Sequence, residues 1–155
     1  PVAMLFPALS QIFLPRLSEA RNTKSDGGRV DGLRYSLLLA AIVIVYSMMI
    51  LTFYDVVQRL FIGSKYGDLF IIVMMWCIYT CLTAYKTGLE IFMLASKRFK
   101  EQAMVNFIGA LVSLIVTFWL ASMYGVSGAV AGLSISELVV ILLMMNGNYL
   151  RKVRR

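Results

Sequence analysis

Histidine is missing from this 155-residue chain, and cysteine occurs only twice, at Cys77 and Cys81. The most common general base and metal ligand is therefore absent. Two thiols one helical turn apart in an apolar stretch neither frame a disulfide scaffold nor complete a tetrahedral metal site. They read as core cysteines. No nucleophile–base pair, metal cluster or phosphate-cradling glycine loop can be assembled from the remaining residues. The expectation is a chain that is not an enzyme and holds no cofactor or metal. Charge is also scarce, at 15% of residues, against about a quarter in soluble domains.

Apolar side chains fill the space that charge leaves. They make up 60% of the chain, and the mean hydropathy is +0.80. The charges gather in short islands separated by apolar runs of about 20 residues, the length that crosses a hydrocarbon core of about 30 Å. Backbone groups in lipid must bond within their own segment, so the runs are expected to be helices. Alternation with a period of two, the mark of a membrane β-barrel, is absent. The predicted fold is all-α, a polytopic membrane helix bundle of about five transmembrane helices, forming a single membrane domain over 1–155. The predicted helices cover about 2–14, 35–54, 69–96, 102–124 and 126–150. Pro7 should kink the first of them. The chain opens on Pro1 without a signal peptide, and is read as part of a longer membrane protein.

Basic residues alternate from side to side. Arg16, Arg21, Lys24, Arg29 and Arg34 follow the first helix. Lys97, Arg98 and Lys100 follow the third, and Arg151, Lys152, Arg154 and Arg155 form the tail. Between the second and third helices stand only Arg59 and Lys65, and the fourth connection has no basic residue. Twelve basic residues against two, with Lys86 left inside a span, place the tail in the cytoplasm. The net charge of +7 is thus a topology signal, and no nucleic-acid partner is expected.

A few polar residues lie within the spans. In the fourth helix Gly109, Ser113, Thr117, Ala121 and Gly125 recur every four residues, with Asn106 on nearly the same face. Such a stripe packs helices closely; alternatively Asn106, Ser113 and Thr117 supply oxygens to a cavity or a cation. In the fifth helix Gly128, Gly132 and Ser136 repeat the pattern. Glu137 points elsewhere, near the middle of the span. A carboxylate there is expensive unless neutral, paired or wetted, so it is either a hydrogen-bonded structural group or a coupling group. In the third helix Lys86 and Glu90 stand four apart and can pair along one face. Otherwise Lys86 faces a cavity as a cation for a phosphate. Ser10 and Gln11 flank the Pro7 kink, and kinked helices often line transport paths.

Four segments resemble a known family. LFPALSQIFLPRLSEARN resembles the eighth helix and following loop of bacterial polysaccharide flippases. RLFIGSKYGD resembles their outer loop, here with one residue inserted before Gly63. LASKRFKEQAMVNFIGALVS resembles the next inner turn with its asparagine-bearing helix, and YGVSGAVAGLSISELV the final turn and helix. Together they are spread over most of the length of the chain, from 5 to 139, in family order. The family is the Wzx-type O-antigen and polysaccharide flippases (polysaccharide biosynthesis proteins), within the multidrug/oligosaccharidyl-lipid/polysaccharide exporter superfamily. The resemblance implies a transporter of two six-helix lobes in the bacterial inner membrane. The five predicted helices would be the eighth to twelfth, part of the second lobe, with the N-terminal lobe as a missing partner. It implies the flipping of a polyprenyl-pyrophosphate-linked oligosaccharide by alternating access.

By their chemistry, Lys86, Gln11 and Ser10 are then substrate-binding candidates, with Lys86 for the pyrophosphate. Glu137, Glu90, Asn106, Ser113 and Thr117 are the intramembrane polar or coupling candidates, with H+ or Na+ as the coupling cation. Two alternatives stay open: a multidrug or cation antiporter of the same superfamily, and a membrane assembly subunit that transports nothing. The topology itself is testable. Cysteines placed at 16–34, at 97–100 and in the tail should resist an impermeant thiol reagent outside intact cells, and Ser64→Cys should react. Labelling of the tail from outside would contradict the orientation.

Overall fold

The computed structural model describes residues 11, 15, 27–58 and 69–150. Its elements are helices: α1 (Gly27–Thr52), the short α2 (Tyr54–Val57), α3 (Phe70–Ala95) and α4 (Phe99–Leu150). Among the described residues, three stretches are long and apolar enough to cross a membrane: Arg34–Thr52, Phe70–Ala95 and Phe99–Asn146. As one rod, the 48 residues of the last would run about 72 Å at 1.5 Å per residue, more than twice a hydrocarbon core. Gly125, at φ 64° and ψ −138°, breaks it. That left-handed backbone suits glycine, which has no Cβ to clash.

The two arms of α4, 99–124 and 126–150, fold back on each other. Gly132 lies against the backbone of Thr117, Gly128 against the carbonyl of Leu120, and Gly109 against the Val140 side chain. The rising positions on one arm and falling positions on the other define an antiparallel hairpin. Gly109, Thr117, Gly128 and Gly132 lie in its seam, since a Cβ at any of these glycines would meet the facing arm.

α3 is the central helix. On one side it runs antiparallel to α1, with Gly88 pressed onto the backbone of Ser36, which is wholly buried. Tyr35, Leu39, Val43, Ala84 and Ile91 form the core of that contact. On the other side α3 runs parallel to the second arm of α4, and Leu89, Met93, Val140, Ile141 and Met144 form a separate core. The outward faces stay apolar: Val45, Met48, Leu114, Ile115 and Phe118 are each more than 60% exposed. A soluble domain does not leave such continuous apolar surface to water. This is a membrane protein whose outward faces suit lipid.

The helix ends are held locally. The Tyr54 hydroxyl accepts the Leu69 backbone N–H at 3.0 Å, and the Tyr54 and Phe70 rings meet edge to face at 5.3 Å. An otherwise open donor at the start of α3 is thereby satisfied. At its other end Arg98 N–H donates to the Met93 carbonyl and Lys97 N–H to that of Leu94. This paired closure sets Lys97 at the left-handed position usually given to glycine, at φ 55°. Arg98 then pairs with Glu101 at 2.6 Å.

The helix bounds differ from the sequence expectation at two places. α1 begins at Gly27 rather than 35, and the first arm of α4 at Phe99 rather than 102. Charge marks where hydrocarbon ends, but a helix carries its hydrogen bonds on into the polar zone. The predicted helix at 2–14 lies outside the described residues, apart from Gln11. The seam generates a test. Gly109→Leu and Gly128→Leu should each lower stability in detergent by about 1–3 kcal/mol through overpacking. Unchanged thermal unfolding of both variants would put these glycines on the lipid face.

Candidate functional site

Within the spans, charge is concentrated where α3 meets the hairpin. Lys86 lies about 5 Å from the midpoint of α3 at 1.5 Å per residue. Glu137 lies near the middle of the second arm. The Lys86 Nζ donates to Glu137 Oε1 at 3.0 Å and stands 2.8 Å from Oε2. The two side chains are 19% and 12% exposed. Oε2 takes the electrostatic contact but has no hydrogen-bond donor among the described residues.

The pair lines a cavity of about 250 Å³. Three helical faces line it. α3 gives Tyr79, Lys86 and Glu90, the first arm Asn106, Gly109, Ala110 and Ser113, and the second arm Leu133, Ser136, Glu137 and Val140. Each arm contributes residues at i, i+3, i+4 and i+7, which is one face of a helix. The space exists because Gly109, Ala110, Ser113 and Ser136 are small. The Ser136 hydroxyl is turned back to the Leu133 carbonyl at 2.7 Å, so its hydrogen is already committed.

This arrangement corrects the expected pairing of Lys86 with Glu90. Along a helix, lysine followed four residues later by glutamate is the weaker order of such a pair. Glu137 comes from the neighbouring helix at the same depth and offers both oxygens. Lys86 therefore does not present an unneutralised cation to the cavity. Glu90, Asn106 and Ser113 share the cavity with the pair, as the sequence left open. Thr117 does not line it: its Oγ1 is buried in the seam beside Gly132, without a hydrogen-bond partner among the described residues. Ser10 lies outside the described residues. Gln11 is helical and exposed, but its chain neighbours are not described. Cys77 and Cys81 are free thiols, and Cys81 Sγ lies 3.9 Å from Ser47 Oγ on the α1 side, away from the cavity.

The Lys86–Glu137 link spans 51 positions, and sequence reasoning missed it. The available signal was a charge of each sign at similar depth in two helices that run in the same direction. Comparison with family models, with curated proteins and with solved structures gives no match.

The ion pair predicts a charge-exchange result. Lys86→Glu alone and Glu137→Lys alone should each cost about 2.5–3.5 kcal/mol, the cost of an unbalanced charge within a span. The double exchange should recover at least half of the loss, read as folded yield and unfolding temperature in detergent. Strictly additive losses would show that the two side chains do not interact.

Proposed function

We propose that this chain is part of a transporter that flips a polyprenyl-pyrophosphate-linked oligosaccharide across the bacterial inner membrane by alternating access. The observation that carries the transport reading is the Lys86–Glu137 pair, set at a polar cavity between membrane-spanning helices. Charges are kept inside a bilayer at a cost, and they commonly mark a path for ions or polar substrates. The substrate class is supported by the four sequence segments that resemble polysaccharide flippases. The proposed topology has a cytoplasmic tail, and an N-terminal lobe completes the path. In keeping with it, Arg34, Lys97, Arg98 and Lys100 share one end of the antiparallel helices.

The mechanism follows from the charge balance. While Glu137 holds Lys86, the ammonium is neutralised and attracts a phosphate weakly. A proton on Glu137 removes that competitor, and a coupling cation would do so by occupying the carboxylate. The freed Lys86 then draws the pyrophosphate, and loss of the proton restores the pair and releases the substrate. Glu137 is thus the coupling group and Lys86 the substrate group, with Asn106 and Ser113 as polar lining.

One feature favours a second reading, a multidrug or cation antiporter of the same superfamily: two carboxylates, Glu90 and Glu137, face one ammonium in the cavity. In the complete protein, Glu137→Gln should leave expression intact and sharply reduce surface polysaccharide in a flippase-deficient strain. Full complementation at matched protein level would remove the coupling role. Efflux of a cationic dye that is lost in the same variant, with polysaccharide unaffected, would select the antiporter.

A further inference from the structure

Lys86 has two acidic neighbours in one cavity. Glu137 holds it across the helix contact. Glu90 stands one turn further along α3 and lines the same cavity. At 1.5 Å per residue its backbone lies about 6 Å from that of Lys86 along the axis, within the swing of a four-carbon side chain. Among the described residues the rest of the cavity wall carries no charge: Asn106 and Ser113 of the first arm are neutral. The nearby Arg98 and Glu101 are engaged with each other at the end of the bundle.

The two sides of α3 are built differently. Toward α1 the helices touch backbone to backbone at Gly88 and Ser36, a contact with no slack. Toward the second arm of α4 the contact holds the cavity, the ion pair and a core with Met93 and Met144. Methionine is flexible and repacks readily. The joint able to open is therefore the one that Lys86 and Glu137 bridge. Opening it takes Glu137 away from Lys86, and an ammonium left alone in hydrocarbon is strongly disfavoured.

We infer that Glu90 is the reserve counter-ion of Lys86: when the second arm of α4 leaves α3 and no substrate phosphate is at hand, the ammonium passes from Glu137 to Glu90 and is not left bare. The exchange keeps the ammonium paired in both positions. It also shifts the ammonium along α3 toward the end that carries Lys97. The inference rests on the reading of the chain as an alternating-access transporter, whose helices must part. Its test uses stability alone, so the two can fail separately.

The experiment measures the folded-to-unfolded ratio of the full chain in mixed detergent micelles. The variants are Glu90→Gln, Glu137→Gln and the double, each with Lys86 and with Lys86→Gln. Glu90→Gln alone should be nearly silent, because the reserve is unused while Glu137 is present. Glu137→Gln should lower the ratio moderately. The double should fall at least about threefold beyond the product of the singles, the size of coupling between interacting side chains. With Lys86→Gln the excess should vanish, because no ammonium remains to be stranded. Independent effects of the two glutamates, or an excess that persists without Lys86, would overturn the inference. If the double variant does not fold, recovery of folding in Lys86→Gln/Glu90→Gln/Glu137→Gln supports the assignment, and continued failure refutes it. Coupling of this form together with full transport by Glu137→Gln would keep the reserve and discard the transport mechanism.

Discussion

A lysine and a glutamate inside a hydrocarbon layer must be paired, neutralised or reached by water, and this requirement organises the bundle. Lys86 and Glu137 meet only if α3 and the second arm of α4 lie side by side at matched depth. That in turn requires the first arm to run back between them in sequence, and so requires the break at Gly125. The hairpin, the parallel contact and the cavity are consequences of one placement. Hydrophobic burial cannot specify it, because lipid chains are as apolar as leucine and give helices no reason to prefer one another.

Specificity instead comes from shape and polarity, divided between the seams. Small residues let backbones approach at Gly88–Ser36 and at Gly132–Thr117, gaining dispersion contacts that a bulkier pair would forfeit. The third contact, between α3 and the second arm, trades closeness for a polar cavity. Its apolar part, with Leu89, Met93, Val140, Ile141 and Met144, lies toward one end, at the depth of Glu90, and leaves the middle to Lys86 and Glu137. Two tight seams and one adaptable seam make a bundle that is firm on one side of α3 and yielding on the other.

The fold was legible because membrane spans announce themselves. The apolar runs matched four of the described helical segments closely at most of their ends, and the gap at 125 between the predicted helices is where the chain turns. The starts of α1 and α4 were not legible, since the helix there continues through Arg29, Arg34 and Lys100, which the hydropathy change had assigned to loops. At the site, the chemistry-bearing residues were visible one by one, because Lys86, Glu90 and Glu137 are conspicuous in apolar surroundings. Their partnership was not visible. A rule of local spacing points Lys86 to Glu90, whereas the pair that forms depends on which helices are neighbours and in which direction they run. Thr117 shows the same limit: its spacing matches Ser113, yet it falls in the seam and Ser113 in the cavity.

The 51 positions between Lys86 and Glu137 also have a meaning in time. A ribosome makes about 5–20 residues per second, so Glu137 emerges some seconds after Lys86 is made. In that interval α3 stands at the insertion machinery with its ammonium and without the hairpin that will balance it. Glu90 follows Lys86 by only four residues and is present almost at once. Until the α4 hairpin brings Glu137, the carboxylate within reach of Lys86 along its own helix is that of Glu90.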